Sequence, residues 1–112
     1  MRRAEEFKAA REKWITETTE ACANNVLNDV EEAIEEAYTK YKTFRKEGHV
    51  YVEKFFNTMK GIMELKDEDP AYSDIYSRVC ATVEVTVKEY GWECKYQNNG
   101  KTLYLVPISE KK

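Results

Sequence analysis

The chain has 112 residues, of which 42% are hydrophobic and 35% charged, and its net charge is −3, from 18 Lys+Arg against 21 Asp+Glu. That length fits one domain, here taken as residues 1–112, and leaves no room for two ordinary ones. The near-balanced charge excludes a sequence-wide basic field for nucleic acid and equally a polyanion mimicking DNA, while 8 Tyr, 4 Phe and 2 Trp against only 4 Gly and 2 Pro exclude a disordered or collagen-like chain.

The N-terminal stretch, residues 1–46, contains no Gly and no Pro and reads as helical. Val26, Val30, Ile34, Ala37, Tyr41 and Phe44 recur at spacings of three and four, one stripe of an α-helix. Upstream, Phe7, Trp14, Ile15 and Cys22 continue a looser stripe. Acidic residues at 31–36 precede Lys40, Lys42, Arg45 and Lys46, the polarity that complements a helix dipole over about 25–46; Gly48 is a plausible stop. A single helix of that length would be a rod of roughly 60 Å, longer than a compact domain. It must therefore either break, at Thr16–Thr19 or Asn24-Asn25 where propensity is poor, or project, with a partner or a second copy packed on it.

Downstream, His49-Val50-Tyr51-Val52 reads as a short edge strand. Phe55, Phe56, Met59, Ile62 and Met63 recur at helical spacing, interrupted by Gly61. Pro70 opens a further helix, whose stripe is Tyr72, Ile75, Val79, Val83, Val87 and Tyr90, with Gly91 as its cap. The β-branched run at 81–87 offers a competing strand, and the longer helical stripe decides against it. Trp92–Tyr96 and Thr102–Val106 alternate around Asn98-Asn99-Gly100, a β-hairpin over 92–107 in which the turn supplies the positive φ angles. The fold class expected is therefore α+β: a long or broken N-terminal helix plus one or two helices packed on a small antiparallel sheet that carries a C-terminal hairpin.

Catalytic and metal signatures do not emerge. The one histidine, His49, has no nucleophile signature around it. Three scattered cysteines and one histidine lack the spacing of a zinc site, and Asp67-Glu68-Asp69 lacks the spacing of a calcium loop. The glycines are isolated, so no phosphate loop is formed. The expectation is a protein that is not an enzyme and takes no cofactor or metal. Cys22, Cys80 and Cys94 are odd in number without a C-x-x-C pair, so free thiols and a reducing cytoplasm are expected. No apolar run approaches the ~20 residues of a membrane helix, and the opening Met-Arg-Arg lacks the apolar run of a secretory leader.

Three non-catalytic constellations remain. Asp29, Glu32 and Glu36 form one helical ridge with Glu31 and Glu35 beside it. Such a ridge either solubilises a helix face or enters a Lys/Arg groove built for a phosphate backbone, which points to a protein partner such as a nucleic-acid enzyme. Arg2, Arg3, Lys8, Arg11 and Lys13 near Trp14 could touch phosphates and stack a base, but Glu5, Glu6 and Glu12 cancel most of that field and direct nucleic-acid binding is not expected. The tyrosine excess is the third: Tyr38, Tyr41, Tyr51, Tyr96 and Tyr104, with Arg45, either pack the fold or line a face for a small nucleotide-like ligand.

The acidic-then-basic helix at 30–46, the strand after Glu47-Gly48, the helix end Lys88-Glu89-Tyr90-Gly91-Trp92 and the terminal hairpin together resemble a loose class of small phage-encoded α+β accessory proteins. Anti-defence inhibitors, anti-CRISPR proteins among them, belong to that class. The resemblance leaves out the N-terminal segment through Thr19 and brings no catalytic or binding motif. It implies a mobile-element accessory protein with an α+β fold, and the leading expectation is a phage-derived binding protein that blocks a host defence protein in the host cytoplasm by occupying a surface. Sequestration of a nucleotide-like ligand, or a helix-mediated homo-oligomer such as a virion accessory protein, are the alternatives.

Overall fold

The computed structural model describes residues 1–40 and 48–108. Six elements follow in order: α1 (Ala4–Lys40), β1 (Val50–Val52), α2 (Phe55–Leu65), α3 (Pro70–Glu89), β2 (Trp92–Gln97) and β3 (Thr102–Pro107). The sheet is antiparallel throughout, in the order β1-β3-β2, and the α+β architecture is the one expected.

Helix α1 is continuous over 37 residues, so neither candidate break occurs. The reason is tertiary. Ile15, Thr19, Cys22, Ala23, Val26 and Val30 are buried at successive turns, chiefly against α3, and this packing overrides the weak propensity of the Thr and Asn residues between them. The helix instead projects: every residue up to Trp14 is exposed, and the long axis of the molecule is 62 Å. The far end of the sequence stripe, Tyr41 and Phe44, lies outside the described residues.

Helix α2 buries Phe55, Met59 and Ile62. Helix α3 starts where the sequence places it: the Asp69 carboxylate accepts from the Ala71 N–H at 2.9 Å, and Pro70 occupies the first turn. It continues through the β-branched run at 81–87, because Ile75, Val79, Val83 and Val87 are all buried at helical spacing. Tyr90, which the stripe places on the buried face, is instead 78% exposed. It follows the helix as its cap residue, so its side chain leaves the stripe.

The hairpin loop has Asn98, Asn99 and Gly100 at φ of 54°, 58° and 82°. Glycine suits position 100 on two counts, since its φ is positive and a Cβ there would lie 2.8 Å from the Tyr76 hydroxyl, which would have to move. Leu103 and Leu105 of β3 and Val50 and Val52 of β1 point inward and are buried, with Trp92, Cys94 and Tyr96 of β2 packed against the core. The three helices lie on this inner face. Tyr51, Glu93, Lys95 and Tyr104 share the outer face, as the register dictates.

The core is sealed by soft residues at its centre, where the Cys22 thiol approaches the Met59 sulfur at 3.3 Å. Cys22 is buried and Cys80 and Cys94 are half-buried, all as free thiols. Burial raises all three thiol pKa values, that of Cys94 to about 12, so in the single chain these thiols stay protonated at neutral pH and pack as small hydrophobes.

Candidate functional site

The acidic helix face does not stay together. Asp29 and Glu36 fall on one flank of the C-terminal half of α1, Glu31 and Glu35 on the other, and Glu32 borders the recesses on both. On the flank facing α2 and β1, the Thr58 hydroxyl donates to Asp29, the Lys54 ammonium donates to Glu32 at 2.5 Å, and Lys40 sits 3.7 Å from Glu36. The hydrogen bond to Glu32, aided by the charges of Glu32, Asp29 and Glu36, holds the Lys54 pKa above its ordinary value. The recess here is small, about 140 Å³, and is also lined by His49, Tyr51 and Glu53.

The opposite flank is different. Glu31 and Glu35 stand on the rim of a groove of about 710 Å³ between α1, the C-terminal end of α3 and the start of β2. Leu27, Val30, Ile34, Val87, Trp92 and the exposed Tyr90 line it, with Asn28, Glu32 and Thr86 among them. Among the described residues, neither Glu31 nor Glu35 makes an ion pair. An apolar floor with two uncommitted carboxylates at its edge is suited to an apolar segment carrying Lys or Arg on its flanks, because burial supplies attraction and the rim charges select its sign.

The tyrosines fall into three separate places. Tyr38 is exposed on α1 near its C-terminal end. Tyr51 and Tyr104 stack on the outer sheet face, with ring centroids 5.1 Å apart, and His49 lies 5.2 Å from Tyr104. Tyr96 is on the inner face, where its hydroxyl donates to Glu84 at 2.8 Å; burial, with the neighbouring Cys80 and Glu84, raises its pKa. The sheet therefore joins Tyr51 to Tyr104 and separates both from Tyr96. Tyr41 and Arg45 lie outside the described residues.

At the other end of the molecule, Arg2, Arg3, Lys8, Arg11 and Lys13 are all exposed on the projecting part of α1. Trp14 is held there by an edge-on contact with Tyr72, centroids 5.7 Å apart. Arg78 ties this end to the body by contacts of 3.1 Å to both Glu12 and Asp74. Among the described residues, no three His, Cys, Asp or Glu side chains converge as a metal site, and no helix is long and apolar enough to cross a membrane.

Sequence reasoning singled out Glu31 and Glu35 but missed the groove they border. Leu27, Val87, Tyr90 and Trp92 complete it. The available signal was the alternation Leu27, Glu31, Ile34, Glu35 along one side of the α1 stripe; that Val87 and Trp92 would stand opposite depends on how α3 packs. Comparison with family models, curated proteins and solved structures finds no match.

Proposed function

We propose that this chain is a non-catalytic binding protein that seats a basic, amphipathic segment of a partner protein in the groove between α1, α3 and β2 and so blocks that partner's surface. The observation that carries this reading is the pairing of an apolar floor with the uncommitted carboxylates of Glu31 and Glu35. Asp29, Glu32 and Glu36 contribute to the negative field, but their side chains are engaged within the fold. The setting we infer, from the resemblance to phage-encoded accessory proteins, is inhibition of a host defence protein whose own Lys/Arg surface serves a nucleic acid.

Trp92 reports on the groove directly. In a Trp14→Phe variant it is the sole tryptophan, and titration with a helical peptide carrying a Leu face flanked by Lys should shift its emission saturably. Glu31→Lys/Glu35→Lys should weaken that binding at least about tenfold. Equal binding of the peptide to both proteins, or equal binding of a peptide with Glu in place of Lys, would reject the groove as the site. In a bacterium whose defence system the protein blocks, the same double substitution should abolish the rescue of phage plaques.

A further inference from the structure

The two edges of the sheet are finished differently. Strand β1 has three residues and packs against α1. Strand β2 has six, Trp92–Gln97, with no proline and no inward-pointing charge, and among the described residues it pairs only with β3. A long, regular edge of this kind is a template for another strand unless something blunts it.

The hydrogen-bond phase of β2 follows from its end. The Ile108 N–H donates to the Gly91 carbonyl at 2.9 Å, so Gly91 and Ile108 form a hydrogen-bonded pair. Antiparallel pairs alternate, and in the observed register Glu93/Val106, Lys95/Tyr104 and Gln97/Thr102 are then the bonded ones. Pro107, which has no N–H, duly falls opposite Trp92 in a non-bonded pair. The backbone groups of Trp92, Cys94 and Tyr96 therefore point out of the sheet.

A second copy added antiparallel to this edge can satisfy those groups in registers whose two-fold axis passes through Glu93, Cys94 or Lys95. The first sets Glu93 opposite itself and the third sets Lys95 opposite itself, both repulsive. The middle register sets Glu93 opposite Lys95 twice, on the outer face, and Trp92 opposite Tyr96 twice, on the inner face. Opposite charges and aromatic pairs directly across an antiparallel pair are the favourable combinations. The sequence Trp92-Glu93-Cys94-Lys95-Tyr96 is thus self-complementary about its central residue.

We propose that two copies of this chain pair through β2 in that register, forming a continuous six-stranded sheet with Cys94 on the two-fold axis. Glu93 and Lys95 already lie together within one strand at 2.6 Å, so each gains a second partner across the axis. The helices of both copies would lie on the same side. On the face of α3 beside β2, the small residues Ser77, Cys80 and Ala81 border an open groove of about 460 Å³ together with Tyr76, Glu84 and Tyr96, and Glu84 is already engaged there by the Tyr96 hydroxyl. The interface shares Trp92 with the groove but not Glu31 or Glu35, so the Glu93 and Lys95 variants test the dimer without touching the carboxylates on which the proposed function rests, and failure of the dimer would leave that function standing.

Sedimentation equilibrium across the micromolar to millimolar range gives the first test: the wild-type chain should dimerise. Glu93→Lys and Lys95→Glu, both exposed positions, should each weaken the dimer at least about tenfold. An equimolar mixture of the two variants should recover it, because each like-charged strand then meets its opposite. Copper–phenanthroline oxidation of the wild-type chain in air should give a disulfide dimer whose tryptic map places the link at Cys94. A hydrogen-bonded antiparallel pair puts the two Cα atoms about 5.5 Å apart, within disulfide reach. Should a charge variant fail to fold, the Cys94 link decides alone. A monomer at every concentration, or a dimer showing neither recovery on mixing nor the Cys94 link, overturns the proposal.

Discussion

The first eleven residues of helix α1, 4–14, and the part from Ile15 onward are one continuous element held by different physics. The first part consists of strong helix formers, Ala4, Glu5, Glu6, Lys8, Ala9, Ala10 and Arg11 among them, with two acidic residues in its first turn. It buries nothing. The second part is poor in helix formers where it matters most, with Thr16, Thr18, Thr19, Asn24, Asn25, Val26 and Val30, yet it is anchored at every turn. Packing keeps the unfavourable stretch helical, and that stretch in turn supplies the nucleus from which the favourable one propagates, since eleven residues alone would be marginal in water.

The largest effects should come from the packed half. Val26 is fully buried, and Val26→Asp would bury a carboxylate with no partner. We expect a loss of about 4 kcal/mol or more, read as the disappearance of a cooperative thermal transition. Thr19 offers the opposite sign. Its hydroxyl oxygen is buried with no hydrogen-bond partner among the described residues, so Thr19→Val should remove an unsatisfied polar atom at nearly constant shape. The gain should be about 1 kcal/mol, or roughly 4 °C in Tm by calorimetry. A lower Tm would mean that the hydroxyl has a partner in solution and that this turn is held by more than apolar contact.

This contrast also explains what was legible in the sequence. Local chemistry was readable: Asp69-Pro70 starts α3, Asn98-Asn99-Gly100 makes the hairpin, and the stripe from Ile75 to Val87 outweighs the β-branched run. What was not readable depended on neighbours distant in sequence. The continuity of α1 through Thr16–Thr19 is decided by α3. The five carboxylates were visible as a face, and the helical repeat puts 29, 32 and 36 to one side of 31 and 35. That Lys54 and Thr58 would engage Glu32 and Asp29 of the first set, while Val87 and Trp92 would build an apolar floor beside the second, comes from packing across more than twenty residues of chain. Tyr51 meets Tyr104 only because β1 pairs with β3 in one register.

Smaller effects separate the two halves of α1 more finely. Asn25 is exposed in the packed half, so its side chain contributes little beyond its helix propensity, and Asn25→Ala should raise global stability by about 0.5 kcal/mol in urea denaturation. Ala10→Gly is a propensity change of at least that size in the projecting half, but Ala10 touches no core residue and its segment can fray while the body stays folded. Its effect on the global urea midpoint should therefore fall below about 0.3 kcal/mol. The same substitution should speed amide exchange several-fold from the start of α1 to about Trp14 and leave the amides beyond Ile15 unchanged. A global loss matching the full propensity difference would show that the projecting half unfolds together with the core, coupled to it through the Glu12–Arg78 and Trp14–Tyr72 contacts.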